Sequence, residues 1–340
     1  MDKAWTSLRF LETEPTARKY LAACYHSMGL EHFERLAFQQ SSRFLYLWKQ
    51  ARQFYQTAMD ADLSIQPLLL FYGCSHLLKG MLLTRDPAYP QNSRVLQHGV
   101  TTRKLKRSAY LLTEDEIRPQ KEGLFAHLAQ VFSLSPLQDR YFAHDLFASI
   151  PGVSHAYAVT TSKEQFWVRM EMTKLAPPKE LEAMYSGAWI SVCFPEGKYG
   201  PLSYSTETFM QYIRRLTPPA CKLDHVRWRE GTIKEMLLPQ FALSQLEQHP
   251  LFRVQEQALF FWNGPSTSPP LPEWASHFLL LYLLSMLCRY ETEWWGELTL
   301  SHGFAERFLV ELFLEHHAAT FPTVIMKQIQ QNNRLILPNP

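Results

Sequence analysis

A chain of 340 residues, 46% apolar and 19% charged, is long enough to bury a sizeable core and too apolar to be disordered. Its net charge of +2 excludes a nucleic-acid binder that relies on overall charge and leaves room only for a local basic patch. Five cysteines, odd in number, far apart and without a C-x-x-C, argue against a disulfide framework and against a cysteine-rich zinc site.

The first residues contain no apolar run of signal-peptide length. The most apolar run, Phe278 to Cys288, is too short to cross a bilayer. A reduced, soluble, cytoplasmic protein with no membrane association is expected. Residues 16–28 read as a short helix that starts at Thr16 and stops at Gly29. From Glu31 to about Asp60, Phe33, Leu36, Phe44, Trp48, Ala51 and Tyr55 recur at three- and four-residue steps, which predicts an amphipathic helix. Pro67 suits the first turn of the next helix, and 68–84 is apolar nearly all round, so it should be buried. Its polar exceptions, Tyr72, Ser75, His76 and Lys79, fall on one strip. Gly73 and Gly80 return to one face, which predicts a neighbour passing close.

Residues 110–112 and 116–118 read as extended, 123–132 as helical, and 136–150 as a helix ending at Pro151-Gly152. Beyond 153 the apolar runs are short. Residues 165–170, 188–194 and 258–262 read as strands, with one helix over 206–216. Residues 263–272, rich in Pro and Ser, form a linker. A buried helix over 273–290 follows, then helices over 304–317 and 322–330. The expected fold class is α+β, predominantly α-helical. It comprises an N-terminal helical region with a basic loop (1–152), a mixed α/β middle region (153–265), and C-terminal helices that complete the helical core (273–340).

The clearest local charge imbalance lies between Pro87 and Thr113, where no acid occurs. Within it, His98-Gly-Val-Thr-Thr-Arg-Lys-Leu-Lys-Arg gathers His98, Thr101, Thr102, Arg103, Lys104, Lys106 and Arg107. Cations, hydroxyls and backbone N–H groups in one loop can hold a phosphate. A solvated basic loop is the alternative. Ser75 and Lys79 on the polar strip of the preceding helix would form the floor of such a site. At the end of the last long apolar helix, Arg289, Trp294 and Trp295 form an expected partner surface, with a helix-end anchor in the core as the alternative.

No catalytic signature appears. There is no P-loop and no G-x-G-x-x-G. Gly73-Cys-Ser-His begins like a nucleophile elbow but lacks the second glycine, and Cys74 in an apolar helix reads as packing. His316-His317 reads as a solvated face rather than a metal site. No cofactor and no metal are expected.

Three runs carry a family likeness: Pro67-Leu-Leu-Leu-Phe-Tyr-Gly-Cys-Ser-His-Leu-Leu-Lys-Gly-Met-Leu-Leu; Asp86-Pro-Ala-Tyr-Pro with His98-Gly-Val-Thr-Thr-Arg-Lys; and Leu281-Tyr-Leu-Leu-Ser-Met-Leu-Cys-Arg-Tyr-Glu-Thr-Glu-Trp-Trp-Gly. Together they resemble the YaaC family of Gram-positive bacteria over most of the chain, most weakly in the middle third. The family brings no established activity. Its gene commonly neighbours that of inosine-monophosphate dehydrogenase, so the resemblance implies a link to purine-nucleotide metabolism. The first helix pair also resembles HEPN-type bundles, whose nucleases carry an Arg and a His with four to six residues between them. Here Arg94–His98 and Arg140–His144 have only three residues between them. The expectation is a non-enzymatic regulatory protein that holds a nucleotide, guanine nucleotide or alarmone at the basic loop and controls a purine enzyme such as IMP dehydrogenase by contact. An RNA-binding or degenerate HEPN-like protein is the alternative.

Overall fold

A computed structural model describes residues 3–103, 110–134, 136–177, 179, 182, 185–219, 221, 223–229, 234–255, 258–301 and 303–330. The chain forms two compact units, one of Met1–Phe147 with Glu273–Pro340 and one of Ala148–Pro272. The fold class is α+β and predominantly α-helical, with small antiparallel sheets.

The first unit opens with α1 (Lys3–Arg9) and α2 (Glu14–Ser27). The second of these starts before Thr16, because Pro15 occupies its first turn, where a missing N–H costs nothing. Next come α3 (Phe33–Met59) and α4 (Gln66–Leu83). α3 buries Ala37, Phe44, Trp48, Ala51 and Tyr55 on one face, as its spacing predicts, and α4 is buried on most sides. A Cβ at Gly73 would meet the Tyr55 ring at 2.7 Å, and one at Gly80 would meet Trp48 at 3.0 Å. These two glycines therefore let aromatic rings of α3 lie against the α4 backbone. A three-stranded antiparallel sheet follows, in the order β1 (Val100–Arg103), β2 (Glu116–Pro119), β3 (Tyr141–Phe142). Of residues 110–112, read as extended, Leu111 is extended and Leu112 instead opens a 3-10 turn that runs to Glu114. α5 (Leu124–Val131) packs on α4, and α6 (Ala143–Ser149) spans the boundary between the units.

Within the second unit, α7 (Pro151–Thr161) starts at the proline that was expected to end a helix. Proline serves either purpose, since it fits a first helical turn as well as it stops a preceding one. β4 (Trp167–Arg169), β5 (Glu171–Leu175) and β6 (Trp189–Phe194) precede α8 (Thr206–Leu216). Ser205 caps α8 by accepting from the Thr208 N–H. β7 (Arg227–Arg229), β8 (Lys234–Pro239), the short α9 (Leu243–Leu246), β9 (Phe252–Gln255) and β10 (Ala258–Trp262) complete the unit. The strands form two antiparallel sheets, β4-β10-β9 and β5-β6-β8-β7. Phe194, Phe209, Phe252 and Phe261 meet at ring separations of 5.0–6.2 Å in the core.

His249 lies fully buried in this unit. Its Nδ1 accepts from the Leu251 N–H, so its Nε2–H donates to the Ile213 carbonyl. Burial holds it at about 4, against an ordinary 6.5. The unfolded chain therefore takes up this proton first as pH falls. Stability is full above pH 6.5 and is lost progressively down to about pH 4, by about 3 kcal/mol. Urea melts followed by far-UV circular dichroism at pH 7 and pH 4.5 should show this loss, and His249→Gln should flatten the pH slope.

The chain then returns to the first unit with α10 (Glu273–Tyr290), α11 (Thr292–Leu300) and α12 (Ala305–Gln330). α12 is continuous where two helices were expected. Pro322 sits inside it, and buried Phe321, Ile325, Met326 and Ile329 hold the helix together past the proline. α10 and α12 both contact α4, so the core of this unit is completed by its C-terminal segment.

Candidate anion-binding site

Three cationic or ionisable side chains from distant parts of the chain converge at α4. Ser75 and Lys79 stand one turn apart on it. His98 reaches it from the segment before β1. Arg289 comes from the last turn of α10, where its Nε donates to the Ser285 carbonyl at 3.0 Å.

A crossing of two glycines fixes His98. Gly99 and Gly123 both have positive φ, 75° and 118°. A Cβ on Gly123 would lie 2.3 Å from the Gly99 Cα, so the two backbones touch. The carbonyls of Gln97, His98 and Gly99 accept from the N–H groups of Leu124, Phe125 and Gln120 at 2.7, 3.1 and 2.9 Å. Thus tied, the His98 ring lies edge-on to Phe71 at 4.8 Å and 5.8 Å from Tyr282. Phe71 itself packs on Phe278 and Tyr282, which joins α4, α10 and His98 in one aromatic cluster.

The electrostatics follow from this geometry. Burial pushes the Lys79 ammonium below its ordinary value. Burial, then Lys79, then Arg289 push His98 down, so its imidazole is neutral at pH 7. Among the described residues no carboxylate pairs with Lys79 or Arg289. The guanidinium instead lies 5.1 Å from the Tyr290 ring centre. Ser75 is 2% exposed and its Oγ has no hydrogen-bond partner. Half-buried cations without an acid, beside a buried hydroxyl without a partner, suit an anionic ligand, because a buried charge is normally paired.

The other predicted residues fall elsewhere. Thr101 and Thr102 are neighbours in β1 and so face opposite sides of it; Thr101 is exposed and Thr102 half-buried. No single site gathers both hydroxyls. The Arg103 backbone ends β1, but its side chain, together with all of Lys104, Lys106 and Arg107, lies outside the described residues.

The partner surface divides in a similar way. Arg289 belongs with Lys79 and His98. Trp295 is 2% exposed, and its Nε1–H donates to the Ser64 carbonyl at 3.0 Å, so it anchors α11 and offers no surface. Its indole is too large and apolar to stay in water when a core position lies one helical turn from the end of α10. Trp294 is half-buried, edge-on to Tyr110 at 4.4 Å. Cys74 is fully buried, and burial pushes its thiol well above the ordinary range, so it supplies no thiolate.

Strip spacing on α4 was enough to find Ser75 and Lys79. Arg289, Phe71 and Tyr282 join them only through the contact between α4 and α10, for which one sequence carries no signal.

These features define a predominantly helical α+β protein with a cationic cluster half-buried in its helical core. The chain belongs to the YaaC-like protein family, whose model matches residues 9–329. No curated protein and no solved structure matches it. Among the described residues, no helix is long and apolar enough to cross a membrane.

Proposed function

We infer that this chain is a non-enzymatic binding protein for a phosphorylated small molecule, held by Lys79, His98 and Arg289 with Ser75 beneath. The supporting observation is that Lys79 and Arg289, neither paired with an acid among the described residues, both act on His98, while Ser75, one turn from Lys79 on α4, has a buried hydroxyl without a partner. Such a set matches the terminal oxygens of a phosphate, which accept from ammonium, guanidinium and hydroxyl together. The Phe71–His98–Tyr282 cluster gives the same place flat apolar surface, so a nucleotide is the ligand class. Guanine nucleotides and alarmones are the first members to try, given the link to purine metabolism that the family implies. In this reading the cytoplasmic protein passes the signal to a purine enzyme, IMP dehydrogenase, by protein contact. The free thiols of all five cysteines accord with a reducing compartment.

Isothermal calorimetry of the full chain against guanine and adenine nucleotides, an alarmone and inorganic phosphate tests the reading. The expected result is saturable binding that discriminates between bases and is weakened at least tenfold by Arg289→Ala, the loss of about one charge-assisted hydrogen bond. No heat with any ligand, or an unaltered isotherm in the variant, removes the proposal. Binding of RNA with affinity that falls steeply between 50 and 200 mM salt, about the range over which phosphate contacts weaken, would favour the RNA-binding alternative.

A further inference from the structure

A second cluster of chemistry-bearing side chains lies within the first unit and takes no part in the anion site. Glu273 opens α10 and His277 follows one turn later on the same face. His316 and His317 come from α12, and Tyr55 comes from α3. The expected solvated face at His316-His317 is not found, since His317 is fully buried and His316 half-buried. Long apolar neighbours carry this stretch of α12 into the core, with Phe313 and Phe321 one turn either side of His317 and the Phe321 ring 4.6 Å away.

His277 is fully buried, yet its Nε2 has no hydrogen-bond partner, and neither does Nε2 of His316. Glu273 Oε1 stands 3.7 Å from His277 Nε2, beyond hydrogen-bond reach. One ligand atom from each of Glu273, His277 and His316 lies within 4.8 Å of the others. Two donors bound to one ion at about 2.0–2.2 Å stand roughly 3.3–4 Å apart, so only a small closure of this triangle is needed.

We propose that Glu273, His277 and His316 bind a divalent first-row transition ion, with zinc the best fit. Two imidazoles and a carboxylate suit zinc and its neighbours, whereas magnesium and calcium favour all-oxygen sets. The residues behind the ligands are arranged to match. His277 Nδ1 is 2.9 Å from His317 Nδ1, and His317 Nε2 is 2.6 Å from the Tyr55 hydroxyl oxygen. With the ion on His277 Nε2, the His277 Nδ1–H donates to His317 Nδ1, and the His317 Nε2–H donates to Tyr55. One order of protons along the chain then fixes the ring of the ligating histidine. Three protein ligands leave a further position for water.

The test uses the full chain, stripped with chelator, reloaded with zinc, dialysed, and assayed by mass spectrometry of metals. About one zinc per chain is expected, with a raised melting temperature on loading. Parallel loading with manganese, iron(II), cobalt and magnesium ranks the ions, and magnesium should be lost on dialysis. Glu273→Gln, which keeps the packing of both histidines, and His316→Ala should each fall to background, while His155→Ala, at an exposed site in the other unit, should retain zinc. Failure of the wild type to retain zinc, or full retention by Glu273→Gln and His316→Ala, overturns the proposal.

Discussion

Replacing Lys79 by Met is expected to abolish phosphate capture while leaving the fold intact or making it more stable. The two effects have one cause. Lys79 is a half-buried ammonium that meets no carboxylate among the described residues, so the unliganded protein carries its desolvation uncompensated. A bound phosphate would supply the missing charge. Removing one partner of such a pair costs about 2–4 kcal/mol, a loss of roughly 30- to 1,000-fold in affinity for the nucleotide. Methionine fills nearly the same space without a charge. The sign of the pH effect is fixed by the same observation. The folded-state value of Lys79 is depressed, so between that value and the ordinary 10.5 the unfolded chain binds a proton that the folded chain does not. Stability of the unliganded wild type therefore rises as pH climbs through this window, and Lys79→Met should lose that slope. Calorimetry with nucleotide, and thermal melts at several pH values without it, measure both halves. Unchanged affinity in the variant would remove Lys79 from the site.

Gly123→Ala is expected to cost about 3–5 kcal/mol of stability in the first unit. Residue 123 has φ 118° and ψ 179°, a backbone state that side chains other than glycine scarcely enter. Its Cβ would also lie 2.3 Å from the Gly99 Cα and 2.6 Å from the Gly99 nitrogen, atoms of a backbone that cannot step aside. Parting the two strands would break the hydrogen bonds from Leu124 and Phe125 to the carbonyls of Gln97 and His98, and so release His98 from Phe71. A fall in melting temperature on the order of 10 °C, together with weakened nucleotide binding, is the expected pair of readings. Gly29→Ala is a useful control. Gly29 also has positive φ, but its Cβ would meet nothing within 4 Å, so backbone strain acts there alone and the loss should be smaller.

The helices that bury a regular face could be read directly. α3, α4 and α10 stand within a few residues of their expected limits, because apolar spacing, Pro67 and the Pro-rich linker before α10 act locally. The close approach at Gly73 and Gly80 was visible for the same reason. Proline was the least decisive signal: Pro151 starts a helix and Pro322 lies within one, since tertiary burial outweighs what proline prefers in isolation. The short strands β5, β7, β8 and β9 had no clear pattern, because partners rather than local preference decide such segments. Of the anion cluster, the α4 half was legible and Arg289 was assigned to a different surface, since it is brought in by a helix packed from the far end of the chain. The histidines of α12 were misread because burial, not their spacing, sets their chemistry.

The first unit is discontinuous in the chain, and this bears on how it is made. α4 emerges from the ribosome with a nearly all-apolar surface, of which α3 can cover only part. The helices that complete the cover, α10 and α12, begin about 190 residues later. At ordinary rates of synthesis that is a wait of roughly 10–40 s. Throughout it the second unit, which is continuous, has all the residues of its own core and can fold, while α4 waits with its apolar side in water. A nascent chain halted after Pro272 therefore leaves exposed the side of α4 that α10 and α12 cover, the kind of surface on which chaperones act. The last helices act as a closing clasp, and the anion cluster, which needs Arg289 from one of them, comes into being only in a finished chain.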